Sequence, residues 1–261
     1  MREALRLAER ELAAAGVDTP RVDADLLLAH VLGVSRSGVY GAADAPVPDS
    51  YHVLLGRRLQ REPLAYVLGE WGFRRLVLKT DARALVPRPE TEVVVERCLE
   101  LLRGECEPRV LDVGTGTGVI ALAIADEHPD ARVTAVDVSR DAVALARENA
   151  ERLQLDVDVR VGDFDVAADG WDLVVSNPPY VTPAEWDTLQ PEIREWEPRG
   201  ALVGVGLHEE LARIAQTRRL VLETHECQAH DVAQTLTSLG YTDVTVTADL
   251  AGKPRVVEGR R

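Results

Sequence analysis

Val110-Leu111-Asp112-Val113 leads straight into Gly114-Thr115-Gly116-Thr117-Gly118, and that into Val119-Ile120-Ala121-Leu122-Ala123-Ile124. A short apolar run bounded by glycines reads as a buried strand, and an apolar segment with no polar face as a buried helix. A strand that turns through glycines into a core helix opens a strand–helix–strand crossover, whose strands lie parallel. The rest of the chain keeps to that plan. Extended stretches at 109–113, 132–136, 157–161, 171–176 and 219–223 alternate with helical spacing, clearest at 117–127 and 140–153. A last pair near 241–247 and 254–258 has no helix between its members, so an antiparallel hairpin is expected to finish the sheet. The predicted fold class is α/β: a Rossmann-like, seven-stranded, mainly parallel sheet with a C-terminal antiparallel hairpin, preceded by a small helical bundle.

The bundle is read from periodicity. Leu5, Leu7, Ala8, Leu12 and Ala13 recur at helical spacing over 2–15. A second helix is predicted from Pro20 through Val22, Ala24, Leu26, Leu27 and Val31 to a stop at Gly33. A loop rich in Gly, Ala and Pro spans 41–49, and a third helix fits 50–61, ahead of Pro63. From 66 to 86 the pattern turns extended, with 66–73 and 76–78 reading as strands of a hairpin. The expected organisation is a helical, substrate-recruiting domain over 1–65, a β-hairpin linker over 66–86, and the sheet domain over 87–261.

Charge narrows the partners. A net charge of -14 opposes sustained binding to DNA or RNA, whose affinity comes largely from neutralising phosphates, so no stable nucleic-acid binding is expected. No apolar run approaches the roughly 18 residues of a membrane span, so no membrane partner is expected either. The charged stretch 1–16 lacks the apolar core of a signal peptide. Cys98, Cys106 and Cys227 are an odd number without framework spacing, which points to a reducing cytoplasm. A monomer is the expectation.

The ligand class comes from strand ends. Glycines after the strand at 109–113 let the backbone approach a ligand, and the helix that follows offers free N–H groups. The spacing G-x-G-x-G differs from the dinucleotide pattern, and the absence of G-K-[ST] argues against ATP. About 20 residues on, the next strand ends in Asp137, where a carboxylate can accept both hydroxyls of a ribose. The strand after that closes in Gly162-Asp163-Phe164, which can set a carboxylate near an adenine amino group and a ring against the base. Each acid alone is more often a helix cap or a solvated loop residue. Together they line one crevice and favour a nucleoside ligand.

The fourth strand ends in Ser176-Asn177-Pro178-Pro179-Tyr180-Val181. With a nucleoside cofactor alongside, this points to methyl transfer from S-adenosylmethionine to a planar nitrogen. Such a nitrogen has a delocalised lone pair and is a poor nucleophile. Two acceptors aimed at its two hydrogens would orient it and leave the lone pair facing the methyl. The Asn177 side-chain oxygen can be one acceptor, and the Pro178 carbonyl, held by the following proline, the other. Tyr180 can stack on the flat group. This is catalysis by positioning and needs no strong base. Without the crevice acids, the two prolines would be read as a stiff turn.

The glycine loop from Gly114 to Gly118, Asp137 and the run Asn177-Pro178-Pro179-Tyr180 resemble a class I S-adenosylmethionine-dependent methyltransferase that methylates amino groups. More specifically, the chain is similar to the PrmC/HemK family, which methylates the glutamine of the Gly-Gly-Gln motif in class-1 peptide-chain release factors. Matching stretches include Arg21-Val22-Asp23-Ala24-Asp25-Leu26-Leu27-Leu28-Ala29-His30, Pro63-Leu64-Ala65-Tyr66-Val67-Leu68-Gly69, Val86-Pro87-Arg88-Pro89-Glu90-Thr91-Glu92 and Asp249-Leu250-Ala251-Gly252-Lys253-Pro254-Arg255. The resemblance implies that Gly114, Thr115, Gly116, Thr117, Gly118, Asp137, Asp163, Phe164 and Asn177 hold the cofactor. It implies that Asn177, Pro178, Pro179 and Tyr180 take the glutamine amide, with Asn177, Pro178 and Tyr180 catalytic. Phe73, Arg88, Pro89, Glu90 and Glu197 would shape the substrate pocket. One stretch departs: 203–224 is short and lacks the family's Leu-x-Pro-Gly-Gly turn, which predicts a repacked fifth strand.

Other readings stay open at this point. A DNA adenine or RNA guanine methyltransferase would need a basic recognition region that the charge does not offer. A paralogue acting on another protein or a small molecule, or a non-catalytic cofactor-binding scaffold, is compatible with the altered 203–224 stretch. His225, Cys227 and His230, with Glu226 and Asp231 nearby, have metal-binding side chains but no fourth ligand cluster, so ordinary loop residues and no metal are predicted.

Overall fold

Helical periodicity in the first third of the chain becomes a small bundle because each helix has one apolar side to bury. The computed structural model describes residues 1–42 and 46–261, so the middle of the loop predicted at 41–49 lies outside the described residues. α1 (Arg2–Ala14) buries Leu5, Ala8 and Leu12. α2 (Pro20–Leu32) begins with proline, whose missing N–H is harmless there, and stops at Gly33 in the left-handed conformation. α3 (Asp49–Leu59) and α4 (Leu64–Leu68) complete the bundle, whose core joins Leu12, Leu27, Leu28, Tyr51, Leu55 and Val67. The extended reading of 66–73 is corrected at its start. Tyr66 and Val67 both donate backbone N–H groups to the Pro63 carbonyl, forming a helical turn too short to show a period. Strand structure begins only with β1 (Glu70–Phe73), which pairs with β2 (Leu76–Lys79).

Then follow α5 (Thr91–Leu101), β3 (Arg109–Val113), α6 (Val119–Glu127), β4 (Arg132–Asp137), α7 (Arg140–Leu153), β5 (Val157–Val161) and β6 (Leu173–Ser176). After them come α8 (Pro191–Arg194), α9 (Leu207–Ile214), β7 (Arg219–Glu223), α10 (Ala229–Ser238), β8 (Thr242–Ala248) and β9 (Pro254–Arg260). The 7-stranded sheet has the order β5-β4-β3-β6-β7-β9-β8. The first five strands in sequence are parallel, and β9 runs antiparallel between β7 and β8. Side chains alternate between the two faces. Val110, Val133, Val175 and Val221 pack with Val94, Ile120, Ile124 and Val143. Leu111, Val113, Val174 and Leu222 pack with Leu211, Leu236 and Tyr241. The short 203–224 stretch does not displace the fifth strand. The Trp171 N–H donates to the Gln216 carbonyl at 2.8 Å, and β7 enters its register with β6 from Val174–Leu220 to Ser176–Leu222.

The chain proceeds outward from β3 through β4 to β5, then returns to lay β6 on the other side of β3. Open α/β sheets bind ligands at such a reversal, outside the carboxyl ends of the strands.

Two units partition the chain: Met1–Glu70 with Gln190–Trp196, and Trp71–Leu189 with Glu197–Arg261. The short second segment joins the helical unit through charge. Glu192 on α8 pairs with Arg58 at 2.9 Å and with Arg61 at 2.5 Å, and Arg58 also binds Asp23 at 2.7 Å. No helix among the described residues is long and apolar enough to cross a membrane.

Candidate active site

The glycine loop after β3 is held by its own hydrogen bonds. Gly114 and Thr115 donate their N–H groups to the Val136 carbonyl at 2.9 and 3.0 Å, tying the loop to β4. The Asp112 carboxylate accepts the Thr115 hydroxyl at 2.6 Å and the Ala121 N–H at 3.2 Å. Burial pushes that carboxyl up to about 7, and its Oδ1 has no partner. Gly118 opens α6 at φ 85°, and a Cβ there would stand 2.9 Å from Leu122 Cδ1 and 3.3 Å from the Ala146 Cβ, so only glycine fits without strain. Asn149, fully buried on α7, donates to the Thr117 carbonyl at 2.9 Å and accepts the Lys79 N–H at 2.7 Å.

Asp137 ends β4 facing the same loop. One oxygen accepts the Gly116 N–H and the other the Ser139 N–H, each at 2.9 Å. Ser139 caps α7 in turn, accepting from Ala142. Asp163 is exposed and caps the short turn that follows β5, taking the Phe164 N–H at 2.7 Å. Phe164 is half-buried against the core that holds Leu111, Val113 and Val136.

The turn after β6 is supported from outside. Ser176 Oγ donates to the Val113 carbonyl at 2.7 Å and clamps the ends of β6 and β3 together. Val181 exchanges backbone hydrogen bonds with the 202–204 strip, donating to the Leu202 carbonyl at 2.9 Å and accepting from Gly204 at 3.1 Å. A Cβ at Gly204 would come within 2.8 Å of the Pro179 carbonyl oxygen, so this close approach demands glycine. The Tyr180 ring stacks on His208 with centroids 6.5 Å apart and leans on His225 at 6.3 Å. Burial raises the Tyr180 phenol to about 12 and lowers the pKa of His208. The Tyr180 carbonyl accepts Gln228 Nε2 at 3.1 Å. Among the described residues, no hydrogen-bond partner is found for the Asn177 side chain.

These strand ends open on one cavity of about 530 Å³. Of the residues expected in the site, Gly114, Thr115, Gly116, Thr117, Asp137, Asp163, Phe164, Arg88, Asn177 and Pro179 line it. Gly118, Pro178 and Tyr180 are not among the lining residues but belong to the same two turns. Arg88 pairs with Glu197 at 2.6 Å, and burial raises the Glu197 carboxyl. Pro89 is exposed and Glu90 half-buried at the entry to α5. Phe73 is 2% exposed, packs in one core cluster with Leu76 and Leu78, and is not among the residues that line the cavity. Sequence reasoning missed Asp112, Asn149, Gly204, His208 and the wall from Arg83 to Pro87. Only Asp112, inside the glycine motif, carried a signal. Around the predicted loop residues, Cys227 N–H approaches His225 Nδ1 at 3.4 Å and His230 Nε2 lies 2.9 Å from Gln234 Nε2. Among the described residues no group of His, Cys, Asp and Glu could hold a metal ion.

Comparison with known proteins bears on both units. The PrmC N-terminal domain family matches residues 3–69, and the Methyltransferase small domain family matches 92–193. The release factor glutamine methyltransferase of Deinococcus radiodurans is 41% identical over 280 residues, covering 100% of this chain and 98% of that protein. This chain belongs to the release factor glutamine methyltransferase family. The Chlorobaculum tepidum member of the family is 40% identical over 258 residues, with 89% of this chain and 87% of its own length covered. Solved structures share the fold of this methyltransferase at low identity. The hMettl16 catalytic domain in complex with a MAT2A 3'UTR hairpin superposes with a TM-score of 0.56 at 17% identity, covering 70% of this chain and 74% of that one. The T. Thermophilus 16S rRNA N2 G1207 methyltransferase RsmC, in complex with AdoMet and guanosine, gives 0.54 at 17%, covering 74% of this chain and 49% of its own.

Proposed function

We infer that this protein transfers a methyl group from S-adenosylmethionine to the side-chain amide nitrogen of a release-factor glutamine, the one in the Gly-Gly-Gln motif of class-1 peptide-chain release factors. The observation that carries the reading is Asn177, lining a nucleoside-sized cavity at the point where the sheet order reverses, its amide unengaged by the protein. The residues present fit the cofactor. The cavity falls within the roughly 300–1,000 Å³ of small-molecule sites. Asp137 retains acceptor capacity, since two backbone N–H groups leave about half of a carboxylate's lone-pair sites free.

Bound there, the cofactor supplies an electrophilic methyl on a cationic sulfur. In this reading Gly114, Thr115, Gly116, Thr117 and Gly118 bring the backbone against it, Asp137 accepts the ribose hydroxyls, and Asp163 and Phe164 meet the base. Asn177 Oδ1 and the Pro178 carbonyl accept the two amide hydrogens of the substrate and turn its lone pair toward the methyl. Pro179 restricts the backbone that carries the Pro178 carbonyl, and Tyr180 covers the amide plane. Arg88, paired with Glu197, and Pro89 and Glu90 flank the substrate side, while Phe73 supports from the core. The helical unit would recruit the release factor.

The test is incubation with labelled S-adenosylmethionine and, separately, a release factor, the same factor with its Gly-Gly-Gln glutamine replaced, total RNA, and DNA. Label is expected only in the intact factor. Label in RNA or DNA, or equal label in the replaced factor, would reject the substrate.

A further inference from the structure

Glu223 ends β7 and has no part in the roles assigned so far. The register of β6 and β7 runs to Ser176–Leu222, so Asn177 and Glu223 each follow the last residue of that pairing at the carboxyl edge of the sheet. The Glu223 side chain is almost wholly inside, with the residue 1% exposed. The Thr91 hydroxyl lies near its carboxyl and favours the charged form, while Oε2 has no partner. A buried carboxyl with an empty acceptor is costly, and each such group in a native structure calls for an explanation.

Its neighbours all belong to the amide side of the site. The Glu223 carbonyl accepts His208 Nε2 at 2.9 Å, and His208 stacks on Tyr180. Thr91 lines the cavity. The charged and titratable groups facing the carboxyl are Arg88 and Glu90 ahead of α5, Arg255 on β9 and Tyr180 in the turn, while His208 on α9 meets only the Glu223 backbone carbonyl. Arg88 is already paired with Glu197 and Arg255 with Asp249, at 2.6 and 3.4 Å, so neither cation is dedicated to Glu223.

We propose that Glu223 is a positioning residue for methyl transfer, a buried negative charge beside the turn of residues 177 to 180 that favours positive charge arriving on the accepting nitrogen. The inference rests on the glutamine-methylating reading of the site. In that step the amide nitrogen forms a bond to the methyl carbon with its lone pair as the methyl's bond to sulfur breaks, its electrons staying on sulfur. Positive charge passes from sulfur to nitrogen, which then loses a proton to water. An anion on the nitrogen's side of that transfer lowers the barrier.

Burial holds the Glu223 carboxyl up at about 7, so it becomes an anion only as the pH rises through neutrality. His208, whose pKa burial lowers, is already neutral there.

The experiment is single-turnover methylation of a release factor from pH 5.5 to 9. The wild-type rate is expected to rise through a step near pH 7. Glu223→Gln keeps an acceptor for Thr91 but no charge. It should lose the step, run about tenfold slower at pH 8.5, below the cost of removing a direct transition-state contact, and leave cofactor affinity unchanged. Thr91→Val, which keeps Glu223 but removes the hydroxyl that favours its anionic form, should move the step to higher pH. A step of full height in Glu223→Gln, equal rates at pH 8.5, or an unmoved step in Thr91→Val would each overturn the proposal. A wild-type rate that is flat with pH rejects this inference alone, whereas absence of any transfer to the release factor rejects the functional reading beneath it.

Discussion

The two turns that meet over the cavity are built in opposite ways. The loop after β3 engages most of its own backbone: Gly114, Thr115, Gly116 and Gly118 place their N–H groups on protein acceptors. The turn after β6 cannot do this, because its two prolines have no N–H to give. It is stiffened by proline geometry and buttressed from outside, by Gly204 against Pro179 and by His208 and Gln228 against Tyr180. The backbone of one half of the site is therefore largely held in place before any ligand arrives. The other is rigid but keeps the polar atoms of Asn177 unspoken for. Variants should separate along that line, with the first half changing cofactor affinity and the second changing the rate of transfer.

The largest effect is expected at Asn177. Asn177→Ala should lower the single-turnover methyl-transfer rate by about 10²–10³, the usual cost of one transition-state contact, with cofactor affinity nearly intact by calorimetry. Asn177→Asp keeps an acceptor oxygen but adds a charge beside the cationic sulfonium, so it should be impaired less than Ala. A wild-type rate in Asn177→Ala would reduce the two prolines to a stiff turn. Next comes Asp137. Asp137→Ala should weaken S-adenosylmethionine binding by about 1.5–3 kcal/mol, the range for hydrogen bonds to a charged group. It also removes the acceptor of the Gly116 and Ser139 N–H groups, so a thermal melt should accompany the titration. Unchanged affinity would withdraw the ribose assignment and, with it, the division between the halves.

The architecture was legible because it is written in short-range periodicity. The extended runs at 109–113, 157–161 and 219–223 became β3, β5 and β7, and the helix expected at 140–153 became α7 with those bounds. Contacts between distant residues were not legible. Nothing in 190–196 marks it as part of the helical unit, since the tie is made by Arg58 and Arg61 meeting Glu192 across more than a hundred residues of chain. The apolar, β-branched segment that forms α5 gave no helical signal of its own; burial of Val94, Val95 and Cys98 decides its structure. In the site, glycine and acid spacing pointed to the cofactor side, while its supports were hidden. Asn149 reaches the glycine loop from α7, and Gly204 reaches Pro179 from a strip with no motif.

The smallest effect, and the finest probe of the comparison, is at Asp163. Its visible work is structural, as it caps the turn after β5 by accepting the Phe164 N–H. Asparagine caps about as well as aspartate, so Asp163→Asn should leave the melting temperature unchanged. If the carboxylate also accepts the adenine amino group, replacing a charged acceptor with a neutral one should lose about half of that bond, or roughly two- to fivefold in cofactor affinity. Asp163→Ala removes the cap as well and should cost about 0.5 kcal/mol in stability, the low end for caps, because the turn is short and exposed. Calorimetry with both variants separates the two roles. Affinity unchanged in both would confine Asp163 to capping and end the cofactor half of the site at Asp137, leaving the base to be held by Phe164 and the glycine loop alone.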